Sequence, residues 1–228
     1  GIGGDSDFIG SGGDGGSGGA GILLRNGSAS TVSGNLRLSG RGGSAGYSGD
    51  GNSFGLPGSN GHGVWLDGGT GPTLSSASGS IEVFGIPGGE TGFGDSHGVF
   101  LSGTAIATTA GGAIDIRGLA DGVFDNFASG VRIVASTVTT SGAPGSITIS
   151  GESSTRSPGL VIGGSTLIGG PDTSGDITLR AAANELADSI VLGGEVASSG
   201  VLSIRPGGVS VSGALTEDTF TGIEIGAA

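Results

Sequence analysis

The feature that most constrains the fold is a short alternating motif that recurs along the chain. Each copy carries two aliphatic residues at alternate positions, and successive copies begin 29 to 42 residues apart. The copies begin at Gly21, Gly63, Gly98, Gly130, Gly159, Ser189 and Gly222. A second motif of the same kind follows each of the first six, beginning at Leu36, Ile81, Ile114, Ile147, Ile177 and Leu202. Alternation with a period of two is the pattern of a β-strand that buries one face.

A third, weaker apolar position lies between the two motifs, among small and hydroxyl-bearing residues. It is occupied by Val32, Leu74, Ile106, Val138, Leu167 and Val196. Three short strands in each repeat predict an all-β fold, a single-stranded parallel β-helix in which each turn adds one rung about 4.8 Å along the axis. A two-sheet sandwich is the alternative. It needs turn signals every 8–12 residues or so, and it does not require a repeat of longer period. The recurring phase therefore favours the solenoid.

The whole chain, 1–228, is predicted to be one β-helix segment and an internal fragment of a longer repeat array. In this interpretation 1–20 form a glycine-rich loop, and 21–205 form about six regular rungs with glycine-rich loop excursions. Residues 206–228 form the last loop and the start of the next rung, with Gly222 opening a strand of the first series. Six rungs would make a rod about 29 Å long.

Composition excludes several classes of function. The chain has no cysteine, so neither a disulfide framework nor a thiolate metal site is available. Its 20 acidic residues and 8 arginines give a net charge of −12, which repels the phosphate backbone of nucleic acids. The sequence contains no apolar run of the roughly 18–20 residues that a membrane span needs. We therefore expect no nucleic-acid partner and no membrane span.

The repeat unit resembles that of filamentous-haemagglutinin-like bacterial surface exoproteins. The resemblance rests on the degenerate pattern GVxL…T…GGxIxIxG, which here extends from Gly98 to Gly118. It implies a right-handed β-helix and a location outside the cell or on the surface of a Gram-negative-type bacterium. It also implies an outer-membrane secretion partner of the two-partner type, and it implies no catalytic residue.

One outward-facing column is the candidate contact surface. Trp65 and Phe100 lie between inward residues on neighbouring rungs, Leu23 precedes them in the column and Arg132 follows. Exposed apolar residues in a row are typical of contact sites, and aromatic rings also stack on sugars. The alternative interpretation is that a glycine-rich loop covers them.

A second outward column carries opposite charges and is predicted to be structural. Arg37 and Glu82 occupy equivalent positions in the second motif, and Asp115 follows on the next rung. Opposite charges on adjacent strands stabilise a sheet modestly, by about 0.2–1 kcal/mol for each pair.

Two groups of residues resemble metal sites weakly. Asp5, Asp7 and Asp14 lie in a glycine-rich stretch, where carboxylates and carbonyls suit calcium. Their spacing does not match the repeated calcium motif, so a solvated acidic loop is favoured and calcium is the alternative. His62 and His97 share one phase of the repeat, and two imidazoles alone make a poor zinc site. We expect them to be stacked corner residues.

These observations predict a structural or adhesive segment of a large surface or secreted protein. The rod would display loops and outward columns for contact with other cells, surfaces or glycans, and it would also be able to self-associate into filaments. A polysaccharide-binding or polysaccharide-degrading β-helix is the alternative. No enzyme is expected, because the acidic residues are scattered and no carboxylate pair recurs in a way that marks a cleft.

Overall fold

A computed structural model describes most of the repeat region. The described residues are 19–43, 61–68, 73–88, 96–120, 128–154, 157–182, 189–207, 211–213 and 222–225. Within these ranges the chain forms strands and turns and contains no helix. Asp5, Asp7 and Asp14 lie outside the described residues, as do most of the glycine-rich loops.

Short strands follow one another in groups of three, and each group is one rung. In chain order they are β1 (Ile22–Arg25), β2 (Ser28–Thr31), β3 (Leu36–Arg41), β4 (Val64–Asp67), β5 (Thr73–Ser76), β6 (Ile81–Ile86), β7 (Val99–Ser102), β8 (Ala105–Thr108), β9 (Ile114–Ala120), β10 (Val131–Val134), β11 (Thr137–Thr140), β12 (Ile147–Ser153), β13 (Leu160–Ile162), β14 (Leu167–Gly169), β15 (Ile177–Ala182), β16 (Ile190–Leu192), β17 (Glu195–Ala197), β18 (Val201–Pro206), β19 (Val211–Gly213) and β20 (Gly222–Ile225).

The strands pair only with their counterparts on neighbouring rungs, and they form three parallel sheets. Sheet 1 has the order β1-β4-β7-β10-β13-β16-β19, sheet 2 the order β2-β5-β8-β11-β14-β17, and sheet 3 the order β3-β6-β9-β12-β15-β18-β20. Six rungs are therefore complete among the described residues, and a seventh contributes two strands. This β-solenoid confirms the predicted parallel β-helix and excludes the sandwich, whose sheets are antiparallel.

Aliphatic side chains stack in register inside the solenoid. In sheet 1, Val64 pairs with Val99, and Val99 with Val131. These three valines are fully buried, as are Ile114 and Ile147, which pair in sheet 3. Because each rung places a branched side chain above the one below, a narrow core reaches close packing without large aromatic residues.

The weak apolar position between the two motifs is not the inward position of sheet 2 in two rungs. Val32 is 79% exposed, and Ala29 takes the inward place, in register with Leu74. In the fifth rung Ile168, not Leu167, continues the buried column. In both rungs the residue of the weak apolar position lies an odd number of places from the inward residue, and the pairing register decides which side chain enters the core.

The predicted place of Gly222 is also wrong. Strand β20, which begins at Gly222, pairs with β18 and so belongs to sheet 3, the sheet of the second motif. The first-series strand of the seventh rung is β19, which pairs with β16. The sequence Gly-Ile-Glu-Ile fits both alternating motifs, and only the hydrogen-bonded neighbour distinguishes them.

Sheets 3 and 1 meet at a corner made of glycines. Near the carboxyl ends of β6, β9 and β12, an inward position is occupied by Gly85, Gly118 and Gly151. A Cβ on any of them would overlap the carbonyl oxygen of a glycine that opens a sheet 1 strand: Gly98, Gly130 and Gly159. The residue type is therefore dictated by the close approach of two backbones. In the fifth rung Ala181 occupies this position and is buried, so a Cβ is accommodated there.

Candidate functional site

The predicted outward column on sheet 1 has the expected order. Leu23 is in register with Trp65, Trp65 with Phe100, and Phe100 with Arg132. Leu23 is 48% exposed, whereas the other three are half-buried. We refer to these four residues as the aromatic column.

The aromatic column extends onto a pair of buried histidines. The imidazoles of His62 and His97 stack with centroids 5.4 Å apart and planes 17° from parallel. Trp65 contacts the His62 ring edge-on at 5.0 Å, and the Phe100 ring lies 5.1 Å from His62 and 5.3 Å from His97. The Arg25 guanidinium lies 5.3 Å from the centroid of the indole ring, within the range of a cation–π contact. The two aromatic rings are thus partly held by packing.

Hydrogen bonds explain why histidines occupy this corner. The backbone N–H of His97 donates to Nδ1 of His62 at 2.9 Å, and the backbone N–H of Ser129 donates to Nδ1 of His97 at 3.0 Å. An imidazole that accepts at Nδ1 is neutral and carries its proton on Nε2. Each ring therefore connects its rung to the next, which confirms the prediction of stacked corner residues. The described residues contain no group of three or more metal-ligating side chains.

The outer face of sheet 3 carries a second feature, which sequence reasoning missed. Arg117 is in register with Ser150, Ser150 with Arg180, and Arg180 with Arg205. We call these four residues the arginine column. Its three arginines are exposed, and none forms an ion pair with another described residue.

The arginine column borders a groove of about 290 Å³ on sheet 3. The groove is lined by Asp115, Arg117, Thr148, Ser150, Gly151, Glu152, Arg180, Ala181 and Ala182. Cationic, hydroxyl and carboxylate groups thus face the same space, which gives it both hydrogen-bond donors and acceptors.

The charged column predicted from sequence forms one side of this face. Arg37 Nε lies 3.5 Å from Glu82 Oε2, and Glu82 is in register with Asp115. Oδ1 of Asp115 is buried and has no hydrogen-bond partner. Burial raises the pKa of the Asp115 carboxyl, the positive charge of Arg117 opposes this rise, and the negative charge of Glu82 adds to it. Asp115 therefore weakens the fold when it is ionised.

A sequence signal for the arginine column exists in retrospect. Each of its arginines directly follows the second aliphatic residue of a second-series motif: Ile116, Leu179 and Ile204. Period-two alternation predicts that these positions face outward. Stacking of the rungs then brings them into one line, although they are far apart in sequence.

No protein-family model, curated protein or solved structure matches this chain. Among the described residues, the structure contains no helix with the length and apolar character needed to cross a membrane. Inference about function therefore depends on the two outward columns and on the solenoid that aligns them.

Proposed function

We propose that this chain is a structural and adhesive segment of a large bacterial cell-surface or secreted protein. The observation that carries the proposal is the in-register stacking of six complete rungs, which holds outward side chains in fixed columns. A solenoid of this kind is a quasi-one-dimensional element that lengthens without changing its cross-section. Such an element suits a spacer that presents contact residues away from its point of attachment.

The proposal extends to location and partners. The resemblance to filamentous-haemagglutinin-like exoproteins supports an extracellular or surface location on a Gram-negative-type bacterium and an outer-membrane secretion partner. Contacts with other cells or surfaces would be made by the aromatic column, and self-association of rods would yield filaments. Electron microscopy of the purified chain tests the rod, with short straight particles expected and compact round particles contradicting it.

Adhesion through the aromatic column is tested with a matched pair of substitutions. Leu23 and Val32 are the two exposed large hydrophobic residues of the described chain, and only Leu23 belongs to the column. We expect Leu23→Thr to reduce the binding of chain-coated beads to cells, and Val32→Thr to leave it unchanged. Equal effects of the two substitutions would show that the column has no special role.

Polysaccharide binding is the second candidate function, and the groove on sheet 3 favours it. The groove offers arginine, hydroxyl and carboxylate groups along one face of the rod. Binding and cleavage are separated by incubating the chain with a polysaccharide and measuring reducing ends. Binding without new reducing ends would assign a binding role, and new ends would assign a degrading one.

A further inference from the structure

The distribution of arginines on the rod is uneven. The chain has 8 arginines within a net charge of −12, and three of them lie in the arginine column on sheet 3. Elsewhere on the described surface Arg25 pairs with Asp67 at 3.1 Å, and Arg37 pairs with Glu82. The arginine column thus forms a cationic line on an otherwise acidic rod.

This arrangement opposes the stability of the sheet. Arg180 and Arg205 are direct neighbours on adjacent strands, and like charges in that position are destabilising. Glu152 and Asp115 line the same groove, yet neither forms an ion pair with Arg117 or Arg180. An anionic ligand along the column would neutralise the repulsion and would accept hydrogen bonds from guanidinium groups that form no ion pair with the described residues.

We propose that the groove beside the arginine column binds a linear polyuronate, a polysaccharide that bears carboxylates along its length. Arg117 and Arg205 are three rungs apart, about 14 Å, so the column presents charge along the rod axis rather than at one point. A guanidinium binds a carboxylate through two parallel hydrogen bonds. The polymer would lie parallel to the axis, with its carboxylates on successive arginines.

The remaining groups in the groove favour a sugar polymer over a nucleic acid. Thr148 and Ser150 supply hydroxyl groups, and the exposed Glu152 supplies carboxylate oxygens that accept hydrogen bonds from sugar hydroxyls. Phe84, in register with Arg117 one rung below, places a half-buried aromatic side chain at the end of the column. The net charge of −12 opposes any polyanion, and it opposes a nucleic acid, which carries a denser line of charge, more than a polyuronate.

The inference rests on the proposed contact function of the rod and adds the ligand class and its residues. It is tested by calorimetric titration of the full chain with a uronic acid hexasaccharide, with its methyl-esterified form and with single-stranded DNA. The variants are Arg180→Gln and Arg205→Gln. Arg41→Gln is the matched control, because Arg41 is an exposed arginine of the same sheet that lies outside the column. This substitution changes the net charge by the same amount as the column variants.

We expect the free uronate to bind, the esterified form to bind at least tenfold more weakly, and added salt to weaken binding. Each column variant should lose about tenfold or more in affinity, the loss expected for a hydrogen bond to a charged group, whereas Arg41→Gln should match the wild type. Circular dichroism of each variant shows whether the fold is retained.

Absence of uronate binding, equal binding of the esterified form, or equal losses in all three variants would overturn the proposal. DNA binding as tight as uronate binding would replace the polysaccharide with a nucleic acid. None of these results changes the expected appearance of rods in electron microscopy, so failure of the ligand assignment is distinguishable from failure of the rod.

Discussion

Replacing Gly118 with alanine tests the close contact at the corner between sheets 3 and 1. A Cβ at this position would lie well inside 3.0 Å of the Gly130 carbonyl oxygen, and backbone atoms on the other side of the corner cannot move away as a flexible side chain would. Gly118 does not have a positive φ, so alanine suits the local backbone and only the steric overlap opposes it.

The expected cost follows from overpacking a close-packed interior. Inserting one methyl group into such a site destabilises by about 1–3 kcal/mol, and backbone overlap places Gly118→Ala at the upper end of that range. A loss of about 3 kcal/mol corresponds to a fall in Tm of about 6–12 °C for a chain of this size.

Gly164→Ala is the matched control for this measurement. The nearest heavy atom to a Cβ on Gly164 is the Gly193 carbonyl oxygen at 3.9 Å, an ordinary van der Waals separation. Alanine restricts the unfolded chain there and should leave stability unchanged or raise it by up to about 1 kcal/mol. Thermal unfolding followed by circular dichroism compares the two variants. Equal Tm values would refute the close approach of sheets 1 and 3.

Three further predictions concern polar groups. Asp115→Asn should raise the Tm at neutral pH, because the pKa of Asp115 is raised in the folded state and its ionisation therefore opposes folding. The difference in Tm between variant and wild type should vanish as the pH falls below about 4, and a difference that does not change with pH would contradict this. His97→Phe should cost about 1–3 kcal/mol in chemical denaturation, since the buried N–H of Ser129 loses its acceptor, and an unchanged denaturation midpoint would refute that role. Arg205→Thr should stabilise the chain by about 0.2–1 kcal/mol in the same assay by removing the repulsion from Arg180, and a loss of stability would show that Arg205 is structural.

Sequence patterns predicted sheets 1 and 3 well, because their inward positions carry isoleucine, valine and leucine at strict alternation. Sheet 2 was harder, since Ala29 gives almost no hydrophobic signal beside Val32. The seventh rung was assigned to the wrong sheet because Gly222 begins a segment that fits either motif. Periodicity identifies a strand, whereas its neighbours are determined by hydrogen-bond pairing across 20 or more residues.

Of the two outward columns, the aromatic column is predictable from the sequence and the arginine column is not. The order of Leu23, Trp65, Phe100 and Arg132 could be read from aligned repeats because all four occupy one position of one motif. The arginine column is not evident from the repeat pattern, because its members lie beyond the paired aliphatic residues that define the second motif. The column is a candidate ligand site because its arginines form no ion pairs with the described residues. This property depends on side-chain positions in three dimensions and cannot be read from the sequence.

In a β-solenoid each rung advances the chain by one strand spacing along a common axis. This advance is tested by pulsed electron paramagnetic resonance, with spin labels placed in pairs on the outward positions Arg37, Thr178 and Ser203. The chain has no native cysteine, so labels attach only to the cysteines introduced at these positions. Thr178 lies four rungs from Arg37 and Ser203 lies five, through continuous pairing in sheet 3. We predict that the Arg37–Ser203 distance exceeds the Arg37–Thr178 distance by about 4.8 Å. Equal distances, or a shorter distance to Ser203, would contradict it.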